Sequence, residues 1–472
     1  MFASIPEALN YLKKHDVAMV DLKICSVIGQ WLHVSLPASQ VTERLFVEGV
    51  GYDGSAGSGY TSVESGDVCA LPRPDSGFVD PFWDHPTLSF LCDTVTADTQ
   101  QLLPSDPRTI AQRAVAYLRQ TGIADECWMA PEFEFHVFDR VHVRTEPYHV
   151  AIRIEASEVQ TDGLAPPIPH KAGYFRVPPT EQLHNLRSDI ALTLEKLGVP
   201  IRYHHHEVGA SGQCEVEVLM QPLLRAADQA MLVKYVIKNV ARRHGRLATF
   251  MPKPIFGEAG NGMHVHQRLT KEGKPLFFDE RRRNYANLSD LALHYIGGLL
   301  SHGPALTGLT NPSTNSYKRL VEGYEAPVNL FFSLANRSAA IRVPKYAESP
   351  DEKRIEYRPP DFTGNIYTTL AAMLLAGIDG VQQKIDPSAR NFGPFDVDIA
   401  RQPAEFRHKI LGVPRSLDDA LDALEQGREF LTRGEVFPEA FLRGWIEGKR
   451  QNENRLISIN PHPYEFVLHL DT

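Results

Sequence analysis

The chain has little cysteine, no uninterrupted apolar run and no excess of positive charge. Five cysteines (Cys25, Cys69, Cys92, Cys127, Cys214) are scattered through 472 residues without Cys-x-x-Cys spacing. An odd, dispersed set in a long chain argues against a disulfide framework and for a reducing compartment. The most apolar stretch, residues 370–381, is broken by Gly377, Asp379 and Gly380, too short and too polar for a bilayer. Ile5, Ala8, Leu9 and Leu12 share a helical face, and the first residues lack the basic-then-apolar order of a secretory signal. A net charge of −9 weighs against nucleic acid and against anionic membranes as partners. A cytoplasmic protein is the expectation. No Gly-Lys-Ser/Thr closes a glycine-rich loop, and there is no His-Glu-x-x-His and no cysteine cluster. Walker-type nucleotide binding, zincin chemistry and structural zinc therefore lack support.

What the chain does contain is acids, histidines and arginines at strand spacing. Five segments carry them: Pro131-Glu132-Phe133-Glu134-Phe135-His136, His205-His206-Glu207, Cys214-Glu215-Val216-Glu217, Gly262-Met263-His264-Val265-His266 and Arg354-Ile355-Glu356-Tyr357-Arg358. Side chains two apart share a strand face, so the polar residues gather on one side while Phe, Val, Met, Ile or Tyr pack the other. An isolated acid pair is most often solvated. The flanking Phe133, Phe135 and Val137 favour a buried sheet instead. Many carboxylates with one or two imidazoles favour Mg2+ or Mn2+ over Zn2+. Arg319, Arg337, Arg342, Arg354 and Arg358 come late in the chain, and guanidinium groups suit an anionic substrate with phosphate groups. Together these are the outline of a phosphoryl-transfer site.

The length allows two or three domains. Residues 17–36 read as a hairpin turning near Gly29. Residues 51–59, rich in glycine, read as a loop. Asp106-Pro107 opens a helix with Ile110, Ala114, Tyr117 and Leu118 as its buried stripe, and Gly122 closes it. Further helices are expected at 180–197 and 223–244. Residues 140–180, rich in Pro and Gly, look like a long excursion. The pattern is an α+β protein: a small, mostly β N-terminal domain and a larger α/β domain on an antiparallel sheet.

Taken together, the motifs resemble a known family, type I glutamine synthetase, over essentially the full length. The runs that carry the resemblance include Asp53-Gly54-Ser55, Glu132-Phe133-Glu134, His205-His206-Glu207-Val208, Met251-Pro252-Lys253-Pro254, Gly262-Met263-His264-Val265-His266, Asn311 through Arg319, Gly323-Tyr324-Glu325-Ala326-Pro327, Asn336-Arg337-Ser338 and Arg354-Ile355-Glu356. The resemblance implies a β-grasp-like domain over 1–104. Over 105–472 it implies a catalytic domain with a curved antiparallel sheet, of the glutamine synthetase and guanidino kinase type. It implies two or more Mg2+ or Mn2+ ions per site, one held by Glu134, Glu207 and Glu215, the other by Glu132, His264 and Glu356. It implies ATP as co-substrate near His266, Arg342 and Arg354, and glutamate gripped by Arg319 and Arg358 with Gly260 and His205 beside it. Arg337 would face the transferred phosphoryl group. Asp53, Glu207 and Glu325 would attract ammonium and take its proton, with Asp53 donated by a neighbouring subunit and Glu325 on a flap. The implied assembly is two stacked hexameric rings, with the C-terminal run from Asn460 inserting into the opposite ring.

The chain departs from the family at Phe395, where adenylylated relatives carry a tyrosine, so adenylylation there is chemically excluded. Asp351 and Arg268 stand where some relatives have nucleotide-contacting Lys and Ser, and Ala259 where Asn often stands. Rival readings are a γ-glutamylamide or polyamine synthetase using an organic amine, a non-catalytic assembly protein, and a two-metal phosphohydrolase. Retention of Asp53 and Glu325 favours ammonia, and the full ligand set favours an enzyme.

Overall fold

The acidic segments, far apart in the chain, meet on one sheet. The computed structural model describes residues 2–56, 59, 66–324 and 326–472. Near the N-terminus lie Met19–Cys25 (β1), Trp31–Pro37 (β2), Val50–Asp53 (β3), Asp67–Pro72 (β4), Phe78–Val79 (β5) and Thr87–Thr96 (β6). They pair in the order β2-β1-β6-β4-β3, with β5 on β6 and with β1 parallel to β6. The expected hairpin is β1–β2, turning at Gly29 with φ +77°. β2 alternates in burial, whereas β1 is covered on both faces: Val20, Leu22 and Ile24 pack into the N-terminal core, and Lys23 on the other face lies 4.6 Å from the Tyr235 ring centroid.

Pro107–Thr121 follows as a helix, with Asp106 accepting from the Thr109 amide (3.0 Å) and Gly122 left-handed at the end. Ile110, Ala114 and Leu118 are buried as expected, and Tyr117 is half-buried. The remaining strands are Glu126–Phe138 (β7), Arg140–Glu146 (β8), His149–Glu155 (β9), Ile201–His206 (β10), Gln213–Val218 (β11), Gln221–Pro222 (β12), Leu247–Thr249 (β13), Val265–Lys271 (β14), Lys274–Pro275 (β15), Asn329–Leu334 (β16), Ala339–Val343 (β17) and Ile355–Tyr357 (β18). The large sheet runs β10-β11-β7-β14-β18-β17-β16, with β12 and β13 on β7 and β15 on β14. Its pairs are antiparallel except β16–β17 at the edge.

Three expectations change. Of the residues read as a glycine-rich loop, 51–53 belong to β3, and 57 and 58 lie outside the described residues. The excursion begins as a separate two-stranded hairpin, β8–β9, in which Val143 pairs with Ile152 and both are exposed. The helix expected at 180–197 starts later, at His184–Lys196. The Gln182 amide is instead held by Glu158 Oε1 (2.8 Å) and the Leu183 amide by Glu181 Oε1 (2.6 Å).

The apolar stretch that cannot span a membrane forms the core helix Ile366–Gln383, buried over most of its length. It crosses Asp290–Ser301 at van der Waals contact. A Cβ on Gly377 would overlap the Tyr295 ring, and one on Gly380 would overlap the backbone of Gly298. The glycines that interrupt the run are the ones that let the two helices touch.

A buried ion network joins the two parts. Arg108 is 3 % exposed; it pairs with Asp93 on β6 and, at 2.9 Å, with Asp228 on the helix Leu223–Arg243. The Tyr367 hydroxyl donates to the same Asp228 (2.8 Å). Asn365 donates to the carbonyls of Ser26 (3.0 Å) and Val27 (3.1 Å) at the β1–β2 turn. Removing one partner of a buried pair leaves an uncompensated charge. Arg108→Met is expected to cost about 3–5 kcal/mol, read as a lower urea midpoint at unchanged m-value.

Candidate functional site

Alternation along β7 sends Glu132 and Glu134 to one face, Phe133 and Phe135 to the other. Both rings are fully buried; Phe133 stacks on Phe362 (4.9 Å) and Phe135 packs on Phe250 (5.6 Å). Each such ring contributes about 1.5–3 kcal/mol of burial, which holds the strand face up. The register then sets carboxylate beside carboxylate: Glu217 pairs with Glu132 and Glu215 with Glu134. His205 stands opposite Glu215, and Glu356 lies between His266 and Arg342.

The result is one cavity of about 410 Å3. Of the residues expected at the site, Glu132, Glu134, His205, Glu207, Glu215, Gly260, His264, Arg319, Arg337, Arg342, Glu356 and Arg358 all line it. His266 stands behind, with Nε2 2.9 Å from Glu132 Oε1, while His264 Nδ1 lies 2.8 Å from Glu132 Oε2. Arg354 lies to one side, donating to the Glu352 carbonyl (3.0 Å) with its guanidinium over Tyr346. Asp53 is not part of the cavity of its own chain. Its Oδ1 turns back onto its own loop, accepting from the Ser55 amide (2.8 Å) and hydroxyl (2.6 Å), and the Ser55 hydroxyl foremost lowers its pKa. Glu325 lies outside the described residues; its neighbours Tyr324 and Ala326 line the cavity.

His136 shares the strand face but closes the floor. Its Nδ1 pairs with Asn261 Oδ1 (2.9 Å), and burial pushes its pKa down to about 3, so it is a neutral structural residue. Sequence reasoning missed Tyr174, Phe175, Tyr203 and Tyr346 on the cavity wall. It noticed Glu217 but gave it no role. Glu217 accepts from the Tyr203 hydroxyl and from Arg202 Nη1 (2.9 Å).

Charge is distributed unevenly. Burial, then the neighbouring Glu215 and Glu134, raises Glu207 well above the usual carboxylate range. Burial, then Glu132 and Glu134, does the same for Glu215. Burial also acts against Glu132, but hydrogen bonds from His264 and His266 outweigh it and hold that group well below the usual range. Burial and Glu132 oppose ionisation of Glu356, yet Arg342, His266 and Arg358 bring its pKa down. Arg342 pairs with Glu356 Oε2, and Arg358 Nε donates to Oε1 (3.1 Å). Arg319 is 4 % exposed and held by carbonyls, with Nη1 on Pro359 (2.7 Å) and Nη2 on Arg358 (3.2 Å). A Cβ on Gly260 would press on the Arg319 stem and overlap the Pro252 carbonyl.

Three donor groups have ligand atoms within 4.8 Å of one another: Glu132, His266 and Glu356; His205, Glu207 and Glu215; Glu132, Glu215 and Glu217. Carboxylates with few imidazoles suit a hard divalent cation, Mg2+ or Mn2+, and such an ion would relieve the repulsion that raises Glu207 and Glu215.

Two family profiles match the chain: the β-grasp domain of glutamine synthetase over residues 16–97 and its catalytic domain over residues 104–469. The chain belongs to the glutamine synthetase family. Glutamine synthetase of Frankia alni is 43 % identical over 100 % of both chains. That of Nostoc sp. is 44 % identical, over 98 % of this chain and 99 % of its own. Among solved structures, Plasmodium falciparum glutamine synthetase superposes with a TM-score of 0.88 at 26 % identity over 99 % of each chain. A ligand-free GmaS superposes at 0.81 with 25 % identity, over 99 % of this chain and 100 % of that one. Against the family pattern, Phe395 packs between Phe331 (5.8 Å) and Phe406 (5.4 Å). Arg268 donates to the Asp351 carbonyl and lies 5.9 Å from the Trp128 ring centroid.

The raised acids give a signed pH effect. A carboxyl whose folded pKa is raised stabilises the fold fully below its unfolded value, about 4.3 for Glu. That contribution is lost as pH rises through the folded value. Glu207→Gln removes one such group. In chelator-treated protein the variant's unfolding midpoint is expected to fall less than the wild type's between about pH 5 and pH 8.

Proposed function

We propose that the chain joins ammonia to the γ-carboxylate of L-glutamate at the expense of ATP, through γ-glutamyl phosphate. The observation that carries this reading is the cavity in which Glu132, Glu134, Glu207, Glu215 and Glu356 meet His205, His264, Arg319, Arg342 and Arg358, in a chain of this family. In the proposed assignment Glu134, Glu207 and Glu215 hold one Mg2+ or Mn2+, and Glu132, His264 and Glu356 a second. Cations bound there neutralise phosphate charge as the phosphoryl group moves.

A carboxylate is a poor electrophile, and phosphorylation supplies a leaving group. Arg319 and Arg358 grip the glutamate carboxylates, with the Gly260 backbone and His205 alongside. The γ-oxygen attacks the γ-phosphorus of ATP, the bond to the bridging oxygen breaks, and ADP leaves. Arg337 balances charge on the transferred phosphoryl, Arg342 and Arg354 lie toward the nucleotide phosphates, and His266 stands nearby. Asp53, Glu207 and Glu325 take a proton from ammonium. The freed nitrogen attacks the acyl carbon; it then gives up a second proton, which the phosphate carries off as it departs with the bonding pair. The loop bearing Glu325 closes as a flap that excludes water.

The reading is of a homo-oligomer, two stacked hexameric rings, with Asp53 supplied by a neighbouring copy. Three observations support it. Asp53 does not reach the cavity of its own chain. The C-terminal helix Pro463–His469 leaves Phe466, Val467 and Leu468 more than half exposed. The β8–β9 hairpin leaves Val143 and Ile152 uncovered. The domain division is proposed at 1–104 and 105–472. The protein is placed in the cytoplasm, with glutamate, ammonium and ATP as partners and neither nucleic acid nor membrane. The five cysteines are free, and no helix among the described residues is long and apolar enough to cross a membrane.

Phosphate release from ATP and glutamate with Mg2+ is expected to need ammonium and to yield glutamine; turnover with methylamine alone would overturn the assignment. Asp53→Asn and Glu356→Gln chains, each inactive alone, are expected to regain a fraction of wild-type activity when refolded together. A mixture that stays inactive counts against donation of Asp53 between copies.

A further inference from the structure

Behind the cavity lies a second buried polar cluster that the proposed chemistry does not use. His206 ends β10 with its ring on the face opposite His205, 1 % exposed. Its Nδ1 is 2.6 Å from the carbonyl oxygen of Glu207, and its Nε2 is 3.0 Å from Glu158 Oε2. A carbonyl only accepts, so Nδ1 carries a hydrogen and donates. The hydrogen between Nε2 and Glu158 is therefore a second one, shared by the two side chains.

Glu158 is 2 % exposed and ties both ends of residues 156–183. Its carbonyl accepts from the Ile168 amide (2.8 Å) and its Oε1 from the Gln182 amide (2.8 Å). The middle of the same segment is fastened to β10 and the residues after it. The Gly173 amide donates to the Val208 carbonyl (3.1 Å) and the Phe175 amide to the His206 carbonyl (3.1 Å). A Cβ on Gly173 would overlap both the Glu207 carbonyl and the His206 ring. Phe175 is held at φ +57°, a region bulky residues avoid. That turn stacks Phe175 on Tyr174 (4.1 Å) and sets its edge against His205 (4.7 Å). The Tyr174–Phe175 wall faces Glu207, which, after burial, is the next cause raising the Tyr174 hydroxyl.

We propose that His206 is a positioning residue: through Glu158 and the Glu207 carbonyl it fixes Glu207 relative to the Tyr174–Phe175 wall. It touches neither substrate nor cation. The inference rests on the reading of Glu207 as a cation ligand on the ammonium side. Ring Nδ1 and Nε2 have separate tasks, and two amides separate them. His206→Asn keeps a donor near the Glu207 carbonyl and loses the Glu158 link. His206→Gln keeps a donor toward Glu158 and releases the Glu207 carbonyl.

The test measures Mn2+ affinity of the full-length chain, from free Mn2+ by electron paramagnetic resonance, together with the KM of each substrate. Partners of this kind carry about 10–100-fold in metal affinity or activity. His206→Gln is expected to weaken Mn2+ binding about tenfold. His206→Asn is expected to hold Mn2+ within about threefold but raise the KM for ammonium about tenfold, with the KM for ATP unchanged. Glu158→Ala should follow His206→Asn. Glu158→Gln, which can bond a neutral His206 and still accept from Gln182, should follow the wild type. The proposal is overturned if the two His206 variants match each other in Mn2+ affinity and ammonium KM, whether both stay normal or both fail. A wild type that makes no glutamine refutes the functional reading instead, and the Mn2+ comparison still decides the role of His206.

Discussion

Mutual repulsion among buried carboxylates is the constraint around which the rest of the molecule is arranged. Two charges about 4 Å apart repel by about 4 kcal/mol at an effective dielectric near 20. β7 and β11 place four glutamates in two facing pairs. Glu207 and Glu356 join them from other segments of the chain. The backbone ladder fixes that register, and the aromatic layer of Phe133, Phe135, Phe250 and Phe362 anchors its underside. The fold holds the acids together by spending hydrophobic burial beneath them.

The compensation is divided by position. At one end His264, His266, Arg342 and Arg358 surround Glu132 and Glu356 and keep them anionic. At the other, Glu207 and Glu215 are left facing one another and are driven toward their neutral forms. A cation is thus met by two unlike environments. One is already balanced by fixed positive groups, and the other gains most from an added charge. Glu217 belongs to neither, because Tyr203 and Arg202 satisfy it locally.

Much of this was legible from alternation alone. Strand faces are set by local geometry, so Glu132, Glu134, Glu215 and Glu356 could be read from spacing, and so could the Asp106-Pro107 helix start. His136 shows the limit of that reading: it has the right face but the wrong depth, since its partner Asn261 lies 125 residues away in sequence. Tyr174 and Phe175 were illegible because they sit in coil, held by backbone bonds to Val208 and His206 that no local pattern announces. The helix expected from residue 180 begins at His184 because Glu158, distant in the chain, captures the Gln182 amide. The β8–β9 hairpin was obscured by the proline and glycine content of the segments around it.

The glycine-lined crossing of Ile366–Gln383 with Asp290–Ser301 leaves no slack under the sheet. A scaffold so tightly keyed cannot adjust its ligands one at a time.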